Sequence, residues 1–363
     1  MITRIEIDGF KSFKDFVLDV PPLLAVTGAN SSGKSNLIDA LRLLAGASHD
    51  HRVVFRFDRG NAVQLLRHYG NGGIVDRFRI AVDLSVPSEA GALSLQAAVV
   101  AELGPLAAGQ ARPVEPAPLA FEARFLGDIE PKERRAALNA ELDSWLFLAP
   151  SPDRLRTRAP GTDRGRLASD ASNLAAVLGR LAESGALPEL LLDLRAVIPT
   201  LDDVLPVQDH RGDWDFDLAY RDSGRIAPSM ASDGTLRVLA VLAAVHDAAH
   251  PGTIVIDEVE NGLHPGRLAT LLELLAERIA EAGARRQMIM TTHSPVVLSH
   301  MLSTDRDAVL FLDSVLETDV LAGVPVGSMV TRARGVRADG PRGTYVTAAE
   351  VRRYLETVRQ DVR

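Results

Sequence analysis

The stretch Gly28-Ala29-Asn30-Ser31-Ser32-Gly33-Lys34-Ser35 fits the spacing GxxxxGK[ST]. Before it runs "PLLAVTG", an apolar stretch with the character of a short strand. After it runs "SNLIDALRLLAG", which puts Leu37, Ile38, Leu41 and Leu44 on one helical face and is expected to stop at Gly46. Between a strand and a helix, this pattern builds a phosphate cradle. Its glycines let backbone N–H groups converge on phosphate oxygens, and the helix N-terminus adds about half a positive charge. Lys34 is expected to reach the β- and γ-phosphates of a nucleotide, and the Ser35 hydroxyl to ligate Mg²⁺. Asn36 follows directly and is counted with the loop.

"TIVIDEVENGLHP" supplies the complementary chemistry. A short β-branched run delivers Asp257 and Glu258 at its carboxyl end, the edge at which open α/β sheets bind ligands. Asp257 would hold Mg²⁺ through water, and Glu258 would orient or deprotonate an attacking water. "SMASDGTLRVLAVLAAV" offers Ser232 and Asp233 as helix N-caps, with Gly234 permitting a tight turn. "IMTTHSP" ends a further strand at His293, which beside a γ-phosphate can act as a polar sensor. Alone, an Asp-Glu pair reads as a solvated turn, Ser232 as a cap and His293 as a structural residue. Their order along the chain is what makes them a site. His49, Asp50 and His51 lack a third spaced ligand and read as a solvated loop.

Stepping outward, "ITRIEI" and "DFVLDV" alternate around "GFKSFK" and predict an N-terminal hairpin. "RFRIAVDLSV", "ALSLQAAVV" and "LAFEARFL" alternate in turn and predict an antiparallel meander. From about 104 to 165 the chain is rich in Pro, Ala and Arg, and "RTRAPGTDRG" (156–165) is expected to be an exposed, mobile loop. Two short helices follow, "ASDASNLAAVLGRLAES" and "PELLLDLRAVI", then an alternating strand in "DWDFDLAYRDSG". Beyond 230 the pattern is helix, strand, helix, strand. The final stretch reads as one apolar strand, "AVLFL", a loop with several arginines and a charged helix. This predicts an α/β P-loop NTPase with a mixed or antiparallel β lobe and an inserted helical lobe. Its segments would be 1–103, the first part of the head; 104–205, the insertion; 206–303, the second part of the head; and 304–363, a C-terminal extension.

Composition narrows the function classes. Of 363 residues, 46% are hydrophobic and 24% charged, the balance of a globular protein. The absence of cysteine rules out disulfides and cysteine-based zinc sites and fits a cytoplasmic location. Glu6 and Asp8 stand where a signal peptide needs an apolar core, so none is expected. The apolar run 238–245 is far below the roughly 20 residues of a membrane span, so no membrane partner is expected. With a net charge of −8, any DNA contact must come from a local patch or an assembled dimer. No [NT]KxD guanine-reading segment is present, which favours ATP over GTP.

The four motifs in this order, with "IDGFKSF" at the N-terminus, resemble the ABC-type ATPases of the SMC/RecF/OLD group. Within it, the chain is most similar to short stand-alone bacterial ATPases without a coiled coil. The resemblance implies an ATP-dependent homodimer with nucleotide sandwiched between two heads. Residues Gly28 to Ser35, Asp257, Glu258 and His293 would act in cis, and Ser232 and Gly234 in trans. Ala231 stands where the family signature has Leu, and Val259 where many relatives have Pro. Gln64 and Gln96 are both candidates for the family's Mg²⁺-sensing glutamine. Too few residues follow Pro295 for a fused Toprim nuclease of the OLD kind.

The leading expectation is therefore Mg-ATP hydrolysis as a nucleotide-gated switch in DNA maintenance, repair or anti-phage defence, the biological setting coming from resemblance alone. The alternative is a slow-turnover regulatory subunit that controls a separately encoded effector such as a nuclease. A transporter subunit is disfavoured by the inserted lobe. Arg154, Arg156, Arg332 and Arg334 are the candidate DNA contacts.

Overall fold

The computed structural model describes residues 1–47, 62–88, 91–102, 120–126, 131–321, 323–337 and 343–361. His49, Asp50 and His51 lie outside them. The chain divides into two compact units, one of residues 1–145 and 305–363, the other of residues 146–304.

The first unit opens with β1 (Ile2–Asp8), β2 (Phe16–Asp19) and β3 (Leu23–Thr27), followed by α1 (Lys34–Ala47). β4 (Arg77–Ser88), β5 (Gly91–Glu102), β6 (Ala120–Leu126) and α2 (Pro131–Ser144) complete its N-terminal part. The predicted hairpin and meander form one antiparallel sheet in the order β2-β1-β4-β5-β6. Register follows the apolar alternation: Ile5 faces Val82, Ile7 faces Ile80, and Leu84 faces Leu95, all buried. Gly46 does not stop α1, which runs on to Ala47. The helix propensity lost at one glycine, about 1 kcal/mol, is small beside the burial of Leu37, Ile38, Leu41 and Leu44. α2 lies in the Pro/Ala/Arg-rich region, where composition predicts no helix. Pro131 at its start and Glu133 in its first turn are the signals that could have found it.

The second unit contains β7 (Leu146–Leu148), α3 (Leu174–Ser184), α4 (Leu187–Val197), β8 (Leu201–Gln208), β9 (Trp214–Tyr220) and β10 (Gly224–Ile226). Then come α5 (Asp233–His246), β11 (Gly252–Ile256), α6 (Pro265–Ala282), β12 (Arg286–Thr292) and α7 (Pro295–Thr304). β7, β11 and β12 are parallel, with Ile254 facing Leu146 on one side and Met288 on the other. α5 is buried almost all round, as its apolar run requires. Asp193 on α4 joins the helices: Arg278 of α6 donates to both of its oxygens at 2.8 and 2.9 Å, and the His246 ring of α5 lies 2.7 Å away. Burial works against the charged Asp193, but the bonds from Arg278 and His246 outweigh it and hold its carboxyl below the ordinary range.

The 156–165 segment is not the free loop expected. Ala159 and Trp214 exchange backbone hydrogen bonds at 3.0 and 2.7 Å, and Arg158 donates to Asp215 at 2.9 Å. These partners lie far off in the chain, so local composition could not reveal them.

The chain returns to the first unit through β13 (Val309–Leu321), β14 (Val324–Val336), β15 (Tyr345–Val346) and α8 (Ala348–Asp361). Within this unit β14 lies between β15 and β13, and β13 pairs in parallel with β3. The arginine-bearing segment expected to be a loop is thus strand β14. Its extended form comes from a long antiparallel pairing with β13, a tertiary effect that overrides its weak alternation.

Candidate functional site

Each unit carries its own part of the expected site. In the first, β3 feeds the glycine loop and α1 starts at Lys34. Ser31 has a φ of 63° and Gly33 one of 108°, so the loop is folded tightly. A Cβ on Gly33 would lie 2.3 Å from Thr331 Oγ1, so only glycine fits there. Lys34 is buried, and its ammonium donates to Gly28 O at 2.9 Å and Ala29 O at 3.0 Å. Ser32 is 1% exposed, and its hydroxyl is buried with no partner among the described residues. Ser35 is exposed, and Asn36 donates its amide to Ser12 Oγ at 2.8 Å. No acidic side chain stands in the first turn of α1 to compete with an anion. An unpaired hydroxyl, a lysine curled over the loop and a helix start free of carboxylates fit a polyphosphate.

Thr27 Oγ1 lies 3.2 Å from Tyr354 Oη on α8, and the Tyr354 ring meets Phe311 edge-on. Lys11 pairs with the buried Asp39 of α1 at 2.5 Å. Of the two candidate Mg²⁺-sensing glutamines, Gln96 is bonded to Asp83 on the neighbouring strand at 2.7 Å, and Gln64 is exposed.

In the second unit, the parallel register of β11 and β12 sets Thr291 beside the acidic pair. The Thr291 hydroxyl donates to Asp257 Oδ1 at 2.5 Å and accepts the Glu258 N–H at 2.8 Å. Glu258 takes a φ of 51°, the left-handed region that a non-glycine residue adopts at a cost. Asn261 donates to Glu258 Oε2 at 2.6 Å. Glu260 Oε1 accepts the backbone N–H of His293 at 2.5 Å. From α5, Arg237 adds a cation: burial lowers its pKa, while the charges of Glu258 and Glu260 act to raise it.

The Ser-Asp-Gly turn is held in the same unit. Ser232 caps α5 by accepting the Thr235 N–H at 3.2 Å, yet remains exposed. A Cβ on Gly234 would stand 2.4 Å from Gly262 O, so the turn packs directly on the loop after Glu258. Arg156 donates to Asp233 Oδ1 at 2.6 Å and Ala231 O at 2.9 Å. Asp257, Glu258, His293, Ser232 and Gly234 are therefore held by Thr291, Glu260 and Gly262, none of which the motifs themselves single out. Their signal in the sequence is position: Thr291 stands two residues before His293, and Glu260 and Gly262 stand two and four residues after Glu258.

Among the described residues, no cluster of three or more His, Cys, Asp or Glu could hold a metal. Ser35, expected as a metal ligand, is exposed at the start of α1 in the first unit, and Asp257 directly follows β11 in the second. No helix among the described residues is long and apolar enough to cross a membrane.

A strand–glycine loop–helix, an acidic strand end and a capped Ser-Asp-Gly helix on this α/β fold are the parts of a P-loop ATPase. Residues 115–299 match the family described as "AAA domain, putative AbiEii toxin, Type IV TA system", and the chain belongs to that family. Residues 1–83 match the AAA ATPase domain. The chromosome partition protein Smc of Methanocaldococcus jannaschii is 37% identical over 76 residues, which cover 21% of this chain and 6% of that protein. Its counterpart from Bordetella petrii is 32% identical over 104 residues, 28% of this chain and 8% of the relative. The matches thus span a small fraction of these relatives. A solved SMC head bound to the C-winged helix domain of ScpA superposes with a TM-score of 0.61 at 14% identity, covering 93% of this chain and 98% of that one. At that identity the likeness is one of fold.

Proposed function

We propose that the chain hydrolyses Mg-ATP as a head-to-head homodimer and that the dimer is a nucleotide-gated switch in DNA maintenance, repair or anti-phage defence. The observation that carries this reading is the α5 turn. Ser232 is exposed at a helix start fixed by Arg156 on one side and Gly262 on the other. A helix N-terminus attracts anions, and the Ser232 hydroxyl, which donates to Thr235 Oγ1 at 2.9 Å, would turn its hydrogen to a phosphate oxygen. In the homodimer it meets the γ-phosphate held by the glycine loop of a second copy, which makes closure depend on that phosphate.

The residues then divide the work. Backbone N–H groups of Gly28 to Ser35 cradle the phosphates, and Asn36 follows them on α1. Lys34 exchanges the Gly28 and Ala29 carbonyls for β- and γ-phosphate oxygens. Ser35 in the first unit and Asp257 in the second are the residues that would hold Mg²⁺, which would neutralise phosphate charge. Glu258 orients the water and accepts its proton while the water oxygen bonds to the γ-phosphorus and the bond to the bridging oxygen breaks, releasing ADP and phosphate. His293, its backbone held by Glu260, contacts the γ-phosphate. Ser232 and Gly234 act across the dimer.

A second reading, ATP-gated control of a separately encoded effector protein, gains from the charge pattern. Arg154 pairs with Asp170 at 3.7 Å and Arg156 with Asp233 at 2.6 Å. Arg332 pairs with Glu317, and Arg334 with Asp313 and Glu350. All four proposed DNA contacts are matched by carboxylates within their own unit, so a protein effector is the better-supported partner. The SMC head bound to a ScpA domain is a precedent for such a partner.

Glu258→Gln tests the homodimer. With ATP its mass by light scattering should double and stay doubled. A variant that binds ATP and remains monomeric excludes the sandwich.

A further inference from the structure

We propose that Thr331, on strand β14, is a positioning residue of the nucleotide loop, and that it aims one of the phosphate-binding N–H groups. The inference rests on the reading of residues 28–35 as the phosphate cradle. Thr331 is 1% exposed, and its hydroxyl lies 3.0 Å from Ser32 O and 2.7 Å from Ser12 Oγ. Ser12 Oγ in turn accepts from Asn36 Nδ2 at 2.8 Å, and the Thr331 N–H donates to Ser12 O at 2.7 Å.

The direction of the protons follows from what each group can do. A carbonyl only accepts, so Thr331 spends its one hydrogen on Ser32 O. Ser12 must then donate to Thr331, which leaves its lone pairs for the Asn36 amide. The result is a one-way relay, Asn36 to Ser12 to Thr331 to the Ser32 carbonyl, in a setting where each bond polarises the next.

The peptide between Ser32 and Gly33 is planar and trans, so its C=O and N–H point in opposite directions. Anchoring the Ser32 carbonyl on Thr331 therefore turns the Gly33 N–H away from β14. Gly33 also rests directly on the Thr331 hydroxyl, as the 2.3 Å approach of an added Cβ shows. A residue 299 positions beyond Ser32 thus sets the orientation of a donor in the cradle.

Four variants, read by calorimetry and steady-state kinetics, decide the matter. Thr331→Val keeps the branched shape but removes the hydrogen and leaves Ser32 O unpaired. ATP affinity by calorimetry should fall about tenfold and KM rise in step, with kcat changed less than about threefold, as for loss of one buried hydrogen bond used in ground and transition states alike. Thr331→Ser should restore binding, since it keeps the hydroxyl, whereas a purely packing role would leave it impaired. Should Thr331→Val fail to fold, Ser12→Ala breaks the relay one step earlier and should also weaken ATP binding. Lys34→Ala separates the two levels of argument. If it still binds ATP, the cradle reading fails; if it loses binding while folded Thr331→Val or Ser12→Ala binds like the parent, the inference about Thr331 is overturned.

Discussion

The Thr291 hydroxyl donates to Asp257 at 2.5 Å while accepting the Glu258 N–H at 2.8 Å. One side chain on β12 therefore fixes both the carboxylate proposed for the metal and the backbone of the one proposed for the water. Thr291→Val keeps the shape and removes both bonds. A displacement of about 1 Å at either carboxylate is expected to lower kcat about 10- to 100-fold. ATP affinity should stay near the parent value, because the cradle lies elsewhere in the chain. Steady-state turnover together with calorimetry checks this, and an unchanged kcat would show that Thr291 is only a packing residue.

Gly234 touches the carbonyl of Gly262, with no room for a methyl group between them. Gly234→Ala must push the start of α5 away from the loop after Glu258. Stability should fall by about 1–3 kcal/mol, and hydrolysis by at least about tenfold. Thermal melts and turnover measured together test the packing. A variant as stable and active as the parent would mean that the turn has slack the geometry does not reveal.

Glu350 connects acidity to the cradle's support. It accepts the Thr347 N–H at 2.8 Å and the Thr347 hydroxyl at 2.9 Å, and Arg334 donates to it at 3.1 Å. Together these bring its pKa from 4.5 down to about 2. A carboxyl depressed in the folded state contributes stability that is complete above pH 4.5 and is lost as pH falls toward 2. α8 begins at this capping box and carries Tyr354, which contacts Thr27 just ahead of the glycine loop. Glu350→Gln should therefore lower stability at neutral pH and flatten its decline between pH 4.5 and 2. Superimposable acid-unfolding curves for variant and parent would refute this.

What could be read in advance was chemistry concentrated in contiguous strings. Gly28 to Ser35 and Asp257-Glu258 announce themselves because the expected roles fall on adjacent residues, and alternation in β1, β4 and β5 reveals the sheet whose register it governs. The supports were not legible. Thr331 reaches Ser32 across 299 positions, and Thr291 reaches Asp257 across 34, so nothing local distinguishes either threonine from any other strand residue. Arg156 looked like a cation for DNA because its partner Asp233 stands 77 positions on, and Arg332 and Arg334 looked like loop residues because their strand exists only through pairing with β13.

Glu258 keeps a φ of 51° where glycine would sit without strain. That conformation handicaps the folded state by about 1–3 kcal/mol. A lineage selected only for heat tolerance would drift toward glycine at 258, gaining robustness and losing the carboxylate proposed to accept the proton. A glutamate held in so uncomfortable a posture is what one expects where usefulness outranks durability.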